Sequence, residues 1–244
     1  MEKKSKGEYM KTLNYKQKFI AECLKVMSFS KKDLEGDFRE HISKTSKNGL
    51  AQSVWSRRAD MLSESFEHDD NYSVLHIQRG GLWQFDPVFE ENTGYLYVFF
   101  TKQNFRTIRN KYLKNGFSTH YALSLLIKNE GLIPIIEEMQ LSLFDEVSDE
   151  LERKTEDMLR MLGENAENVT RIRFLIVDYD LVKVAYQASL EEYTPELLLS
   201  AKDDVSYLLP SIANLEIEDS NTSVEKESEE EMLVSLKKQQ KLGE

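Results

Sequence analysis

Glu64, Asp86 and Lys102 carry part of the spacing of a metal-dependent nuclease: an acid ahead of a sheet, an acid after a strand, and a lysine ending the next strand. Such a core needs a further carboxylate two residues before the lysine, because clustered acids hold the metal that activates water. In Phe100-Thr101-Lys102 an aromatic ring stands there instead, and Asp86-Pro87 reads as a turn. His41, His68, His76 and His120 lack the close pairing of a zinc site, and one cysteine, Cys23, cannot build a thiolate cluster. Arg79-Gly80-Gly81 lacks the lysine and helix of a phosphate loop, and no serine sits in a nucleophile elbow. These patterns point to binding rather than catalysis, with no catalytic residue, metal or cofactor expected and a nuclease-like enzyme as the second alternative.

Cations offer a different chemistry. Lys102, Arg106, Arg109, Lys111 and Lys114 follow one another with no acid between them, and Arg57 and Arg58 stand beside Trp55. A helix face of this kind can contact the phosphates of DNA or RNA, with Trp55 or Tyr112 to stack on bases. The same run also reads as a solvated helix face that balances acids elsewhere. A nucleic-acid-binding regulator is therefore the first alternative.

The sharpest pattern is Gln140-Leu141-Ser142-Leu143-Phe144. It resembles the consensus peptide by which bacterial polymerases, mismatch-repair factors and several phage proteins bind the DNA sliding clamp. In such peptides the glutamine makes polar contacts at the rim of a hydrophobic cleft that the last leucine and phenylalanine fill. The resemblance covers five residues and implies a partner, not a fold. Burying a Leu and a Phe contributes roughly 1.5–3 kcal/mol each before ordering costs, which suits micromolar docking. Glu137, Glu138, Asp145 and Glu146 flank the peptide, and Pro134 weakens any regular element running into it, so an exposed loop is expected over 135–148. The alternation of Leu141 and Leu143 is equally that of a half-buried strand. On the docking reading, the protein modulates or senses replication without being an enzyme, in a setting that suits a phage, a mobile element or a defence against one.

Binding peptides and strips need a scaffold. Apolar positions Phe19, Ile20, Cys23, Leu24 and Met27 draw one helical stripe, Ser30 can cap a second helix, and Leu50 to Phe66 suit a third. Strands follow at 73–77 and 82–85 around Gly80-Gly81, then at 95–100 after Glu91-Asn92-Thr93-Gly94, giving a meander. Helical spacing returns through Phe105, Ile108 and Tyr112, again from Tyr121 to Ile127, and from Ser148 to Leu162 on a stripe of Leu151, Thr155, Met158, Leu159 and Leu162. A later hairpin is expected from 171–177 and 181–188 about Asp178-Tyr179-Asp180. The fold class is α+β with an antiparallel sheet: a helical region over 1–70, an α+β domain over 71–210, and an acidic disordered tail over 211–244.

A net charge of -11 argues against a surface that embraces nucleic acid throughout. The single cysteine fits a reducing compartment, and no apolar run approaches a membrane span, so a cytoplasmic protein is expected.

Overall fold

The run Tyr95-Leu96-Tyr97-Val98-Phe99-Phe100 has bulk to bury on both sides, which demands a central strand covered on each face. A computed structural model describes residues 12–81, 83–135 and 148–210, and it shows this arrangement. Among these residues the elements are α1 (Gln17–Ser28), α2 (Lys31–His41), α3 (Leu50–Phe66), β1 (Tyr72–Val74), β2 (Ile77–Gln78), β3 (Gln84–Phe85), β4 (Val88–Glu90) and β5 (Tyr95–Thr101). Then come α4 (Lys102–Asn115), α5 (Tyr121–Leu125), α6 (Ser148–Leu162), β6 (Arg171–Tyr179), β7 (Ala185–Tyr193) and β8 (Leu199–Asp204). The main sheet has the order β1-β4-β5-β6-β7-β8, and β2 pairs with β3 in a small ribbon.

Strand alternation sorts the core into two layers. Leu96, Val98 and Phe100 of β5 and Ile172, Phe174 and Ile176 of β6 share a cluster with Phe105 of α4, Ala122 of α5 and Leu162 of α6. Tyr97, Phe99, Leu175 and Val177 share the other with Phe19, Ile20 and Leu24 of α1 and Leu62 of α3. All five stripe residues of α1 are buried. Ser30 caps α2 as its sequence suggests, with Asp33 Oδ2 accepting from the Ser30 backbone N–H at 2.6 Å to close the box.

The fold is α+β, but the sheet is mixed. β5 and β6 run parallel, Thr101 opposite Val177, while the other pairs of the main sheet are antiparallel. Strands 73–77 and 82–85 prove to be parts of one longer hairpin. β1 pairs with β4 as Val74↔Val88, and β2 with β3 as Ile77↔Phe85, in a single register interrupted where Pro87 has no N–H to give the ladder. Asp86-Pro87 is thus a break within an arm, not its end. The second hairpin turns at 180–184, where Asp180 Oδ1 accepts from Val182 and Val184 N–H at 3.0 and 2.8 Å. β6 continues through Tyr179 because that side chain is drawn inward, its hydroxyl donating to Met27 O at 2.6 Å. β8 was not expected. The buried stripe of α6 is also rotated: Lys154, Asp157, Met158, Met161 and Leu162 are buried, whereas Leu151 and Leu159 are 47% and 50% exposed. Charge explains the difference, since Asp157 faces inward to receive Arg79 Nη1 at 2.6 and 2.7 Å and Lys154 lies over the Tyr112 ring.

Residues 12–16 form a strap that ties distant strands. Leu13 N–H donates to Asp203 Oδ2 at 3.0 Å, Asn14 O accepts from Arg173 Nη1 at 2.5 Å, and Lys16 Nζ lies 3.8 Å from Glu90 Oε1.

His120 caps α5, its Nδ1 accepting from Ala122 N–H at 3.2 Å, a role that needs the neutral ring. Burial, then the charges of Arg79 and Lys111, lower its pKa from 6.5 to about 4. A depressed imidazole lets the unfolded chain take up the proton first. Its contribution to stability is whole above pH 6.5 and is lost as pH falls toward 4, by on the order of 2–3 kcal/mol. His120→Asn keeps a capping acceptor without the titration. Urea unfolding across that range should show a shallower decline for the variant than for the parent.

Candidate functional site

Because β5 and β6 are parallel, both release the chain at one edge of the sheet, where crevices form outside strand carboxyl ends. Thr101 caps α4 there, its Oγ1 accepting from Asn104 N–H at 3.2 Å. The next residue, Lys102, donates through Nζ to Asp178 Oδ2 at 2.7 Å and to Gln187 Oε1 at 3.2 Å, and Tyr186 donates its hydroxyl to the same Asp178 oxygen at 2.7 Å. Burial pushes the Asp178 carboxyl up, but the bonds from Lys102 and Tyr186 more than offset it, so its pKa lies below the ordinary value. The Asp178 bond raises that of Lys102.

Two grooves open from this pair. One, of about 390 Å³, lies between α4 and strands β7 and β8 and gathers Lys102, Arg106, Arg109 and Lys202 with Asp178 and Glu191. Lys202 Nζ sits 2.8 Å from Glu191 Oε1, and Ser189 and Tyr193 donate their hydroxyls to the same carboxylate. The other, of about 250 Å³, runs past Lys102 toward Ser30, Lys31, Trp55, Arg58 and Lys183.

The predicted cationic strip is therefore divided. Lys102, Arg106 and Arg109 recur at four and three residues and face one groove, while Lys111 and Lys114 are turned roughly 120–180° around the helix from Lys102. Arg57 is exposed on α3 with Glu64 at 3.0 Å. Arg58, read from sequence as a phosphate contact, is only 4% exposed and is spent within the fold. Its guanidinium donates to Met27 O at 2.8 Å, to Phe29 O at 2.7 Å and to Tyr179 Oη at 2.9 Å, and it lies over the Trp55 ring. Tyr112 is buried under α4, away from any stacking role at the surface. No local pattern marks Lys202, Lys183 or Lys31 as groove residues, and Asp178, expected in a turn, lies in β6 instead; their proximity to α4 is set by tertiary pairing.

The residues of the partial nuclease pattern are held separately. Glu64 is with Arg57, Lys102 with Asp178, and Asp86 Oδ1 accepts from Gln84 Nε2 at 2.5 Å and from His76 Nδ1 at 2.8 Å. Among the described residues, no group of three His, Cys, Asp or Glu side chains is placed to hold a metal ion. Ser63, His76 and Asp86 do line up as hydroxyl, imidazole and carboxylate, with Ser63 Oγ 3.5 Å from His76 Nε2. The serine, however, gives its proton to Ala59 O one helical turn back, at 3.0 Å, as mid-helix serines do.

Gln140, Leu141, Ser142, Leu143 and Phe144 lie outside the described residues, as does the acidic tail over 211–244. Before the peptide, Ile135 N–H donates to Leu199 O at 2.8 Å and Ile133 O accepts from Ser200 Oγ at 2.7 Å; after it, α6 begins at Ser148. No helix among the described residues is long and apolar enough to cross a membrane.

Fold and edge together define an α+β protein with helices on both faces of a mixed sheet and polar grooves where its parallel strands end. Residues 12–243 match the model of DUF5986, a family of unknown function, and the chain belongs to that family. No curated protein and no solved structure matches it.

Proposed function

We propose that this DUF5986 member docks on a bacterial DNA sliding clamp through Gln140–Phe144 and acts at replicating DNA, either recruiting activity to the clamp or competing for its cleft. The pentapeptide carries this reading: a polar residue to orient, then Leu143 and Phe144 as apolar anchors, the composition by which short peptides gain affinity. The holding of Ile133 and Ile135 against β8 supports it further, since a tethered peptide loses less freedom on binding than a free one. Binding of the full chain to purified clamp should be in the micromolar range, tolerate moderate salt, and vanish in the Leu143→Ala, Phe144→Ala double variant. Equal binding by both proteins, or none by either, sinks the reading.

A second reading rests on the groove along α4. Arg106 is exposed beside Arg109 and Lys202, an arrangement suited to phosphate contact. Such binding would weaken steeply with salt, unlike docking through Leu143 and Phe144.

A further inference from the structure

Both tryptophans of the chain, Trp55 and Trp83, line one pocket of about 290 Å³ between α3 and the base of the β2–β3 ribbon. Part of its wall is aromatic, with Phe85, Phe99 and Tyr121 beside the two tryptophans. Trp83, 41% exposed, packs on Tyr121 at 5.1 Å, and Phe85 stacks on Tyr121 at 4.2 Å between ring centres. Asp86 and Asn104 are among the polar residues that line it. The volume is at the small end of ligand sites, which run to roughly 300–1,000 Å³, and flat aromatic walls favour a flat ring over a branched aliphatic.

The pocket does not end in apolar surface. It shares Ala51, Trp55 and Arg58 with the neighbouring groove, in which Lys31, Lys102 and Lys183 stand. Lys31 and Lys183 are exposed, and neither has an ion pair among the described residues. A ligand that fits both spaces has a planar ring carrying hydrogen-bonding edges at one end and negative charge at the other.

From this juxtaposition we propose that the protein binds a nucleotide, its base between Trp55 and Trp83 and its phosphate toward Lys31 and Lys183. Asp86, which can only accept when ionised, favours a base that presents an amino group. The site involves no residue of the clamp peptide and stands or falls separately from it. Free mononucleotides and the terminal residue of a single strand share this chemistry.

The two tryptophans report directly on the site, so the full-length protein is titrated with AMP, with GMP and with a short single-stranded DNA while intrinsic fluorescence is followed. Quenching by a mononucleotide identifies a free-nucleotide site; quenching by the oligonucleotide alone identifies a strand end. Calorimetry on Trp83→Ala, whose ring is partly in solvent, should then show a loss of roughly tenfold or more in affinity, the scale of one stacking contact. Lys183→Gln should weaken binding and flatten its salt dependence. Unchanged unfolding midpoints for both variants would keep the comparison valid, and Lys183→Gln, in an exposed turn, serves if Trp83→Ala does not fold. Absence of binding by all three probes overturns the proposal, as does binding that neither variant alters.

Discussion

Replacing Arg173 by Met is expected to lower the unfolding free energy by about 3–5 kcal/mol, the range for breaking a buried ion pair from one side. Arg173 sits in the middle layer at 3% exposure, and its Nε donates to Glu192 Oε1 at 2.9 Å. Glu192 is itself 3% exposed, so deleting the guanidinium strands a carboxylate in the core. The loss extends to the Tyr95 ring, over which the guanidinium lies at 4.0 Å, and to the carbonyl of Asn14. For a domain of this size the melting temperature should fall by on the order of 10 °C. Adding Glu192→Leu should restore a large part of that stability, because the stranded charge rather than the missing attraction makes up much of the cost. If the double variant is as unstable as the sum of two separate losses, the strap contact at Asn14 dominates instead.

Asn129→Leu should cost a similar amount for a different reason. The strands β6 and β7 pair from Phe174↔Glu191 onward, and continuing that register would bring Ile172 opposite Tyr193. There the strands part and the Asn129 amide enters between them. It donates to Ile172 O at 2.9 Å and Tyr193 O at 2.8 Å and accepts from Ile172 N–H at 2.7 Å, completely buried. Leucine matches the shape but leaves three backbone groups without partners. At ~1–3 kcal/mol for each buried unsatisfied group, partly relieved by relaxation, a loss of about 3–5 kcal/mol follows. Chemical denaturation should show a lower midpoint with an unchanged denaturant slope. A near-neutral result would mean that the strands close over the gap and pair directly.

Neither residue announces its role in the sequence, and the reason is general to this chain. Features set by neighbours along the chain were legible: the stripe of α1, the Ser30 cap, the bounds of α3, and the doubly buried β5. Features set by partners far away were not. Arg58 and Arg173 resemble surface cations until Tyr179 and Glu192 are brought to them. The parallel pairing of β5 with β6 joins strands between which α4, α5 and α6 lie, and nothing local distinguishes it from an antiparallel arrangement. β8 is hidden in the sequence because Leu197-Leu198-Leu199 blurs the alternation of the strand that follows. The candidate grooves suffer most from this, since Lys102 was visible as a cation but Asp178 comes from β6, Lys183 from the turn after it and Lys202 from β8, all far along the chain.

The strap at residues 12–16 has a consequence for the order in which the protein is built. Leu13 is held by Asp203, a contact spanning 190 residues, and Asn14 by Arg173 across 159. On the ribosome the strap emerges well before its partners and finds its seat only when β6 and β8 have both been made. Until then α1 has no complete surface to lie on, and its apolar stripe must wait in contact with solvent or chaperone. Closure of so long a loop is slow, and it makes residues 12–16 late to be locked in place.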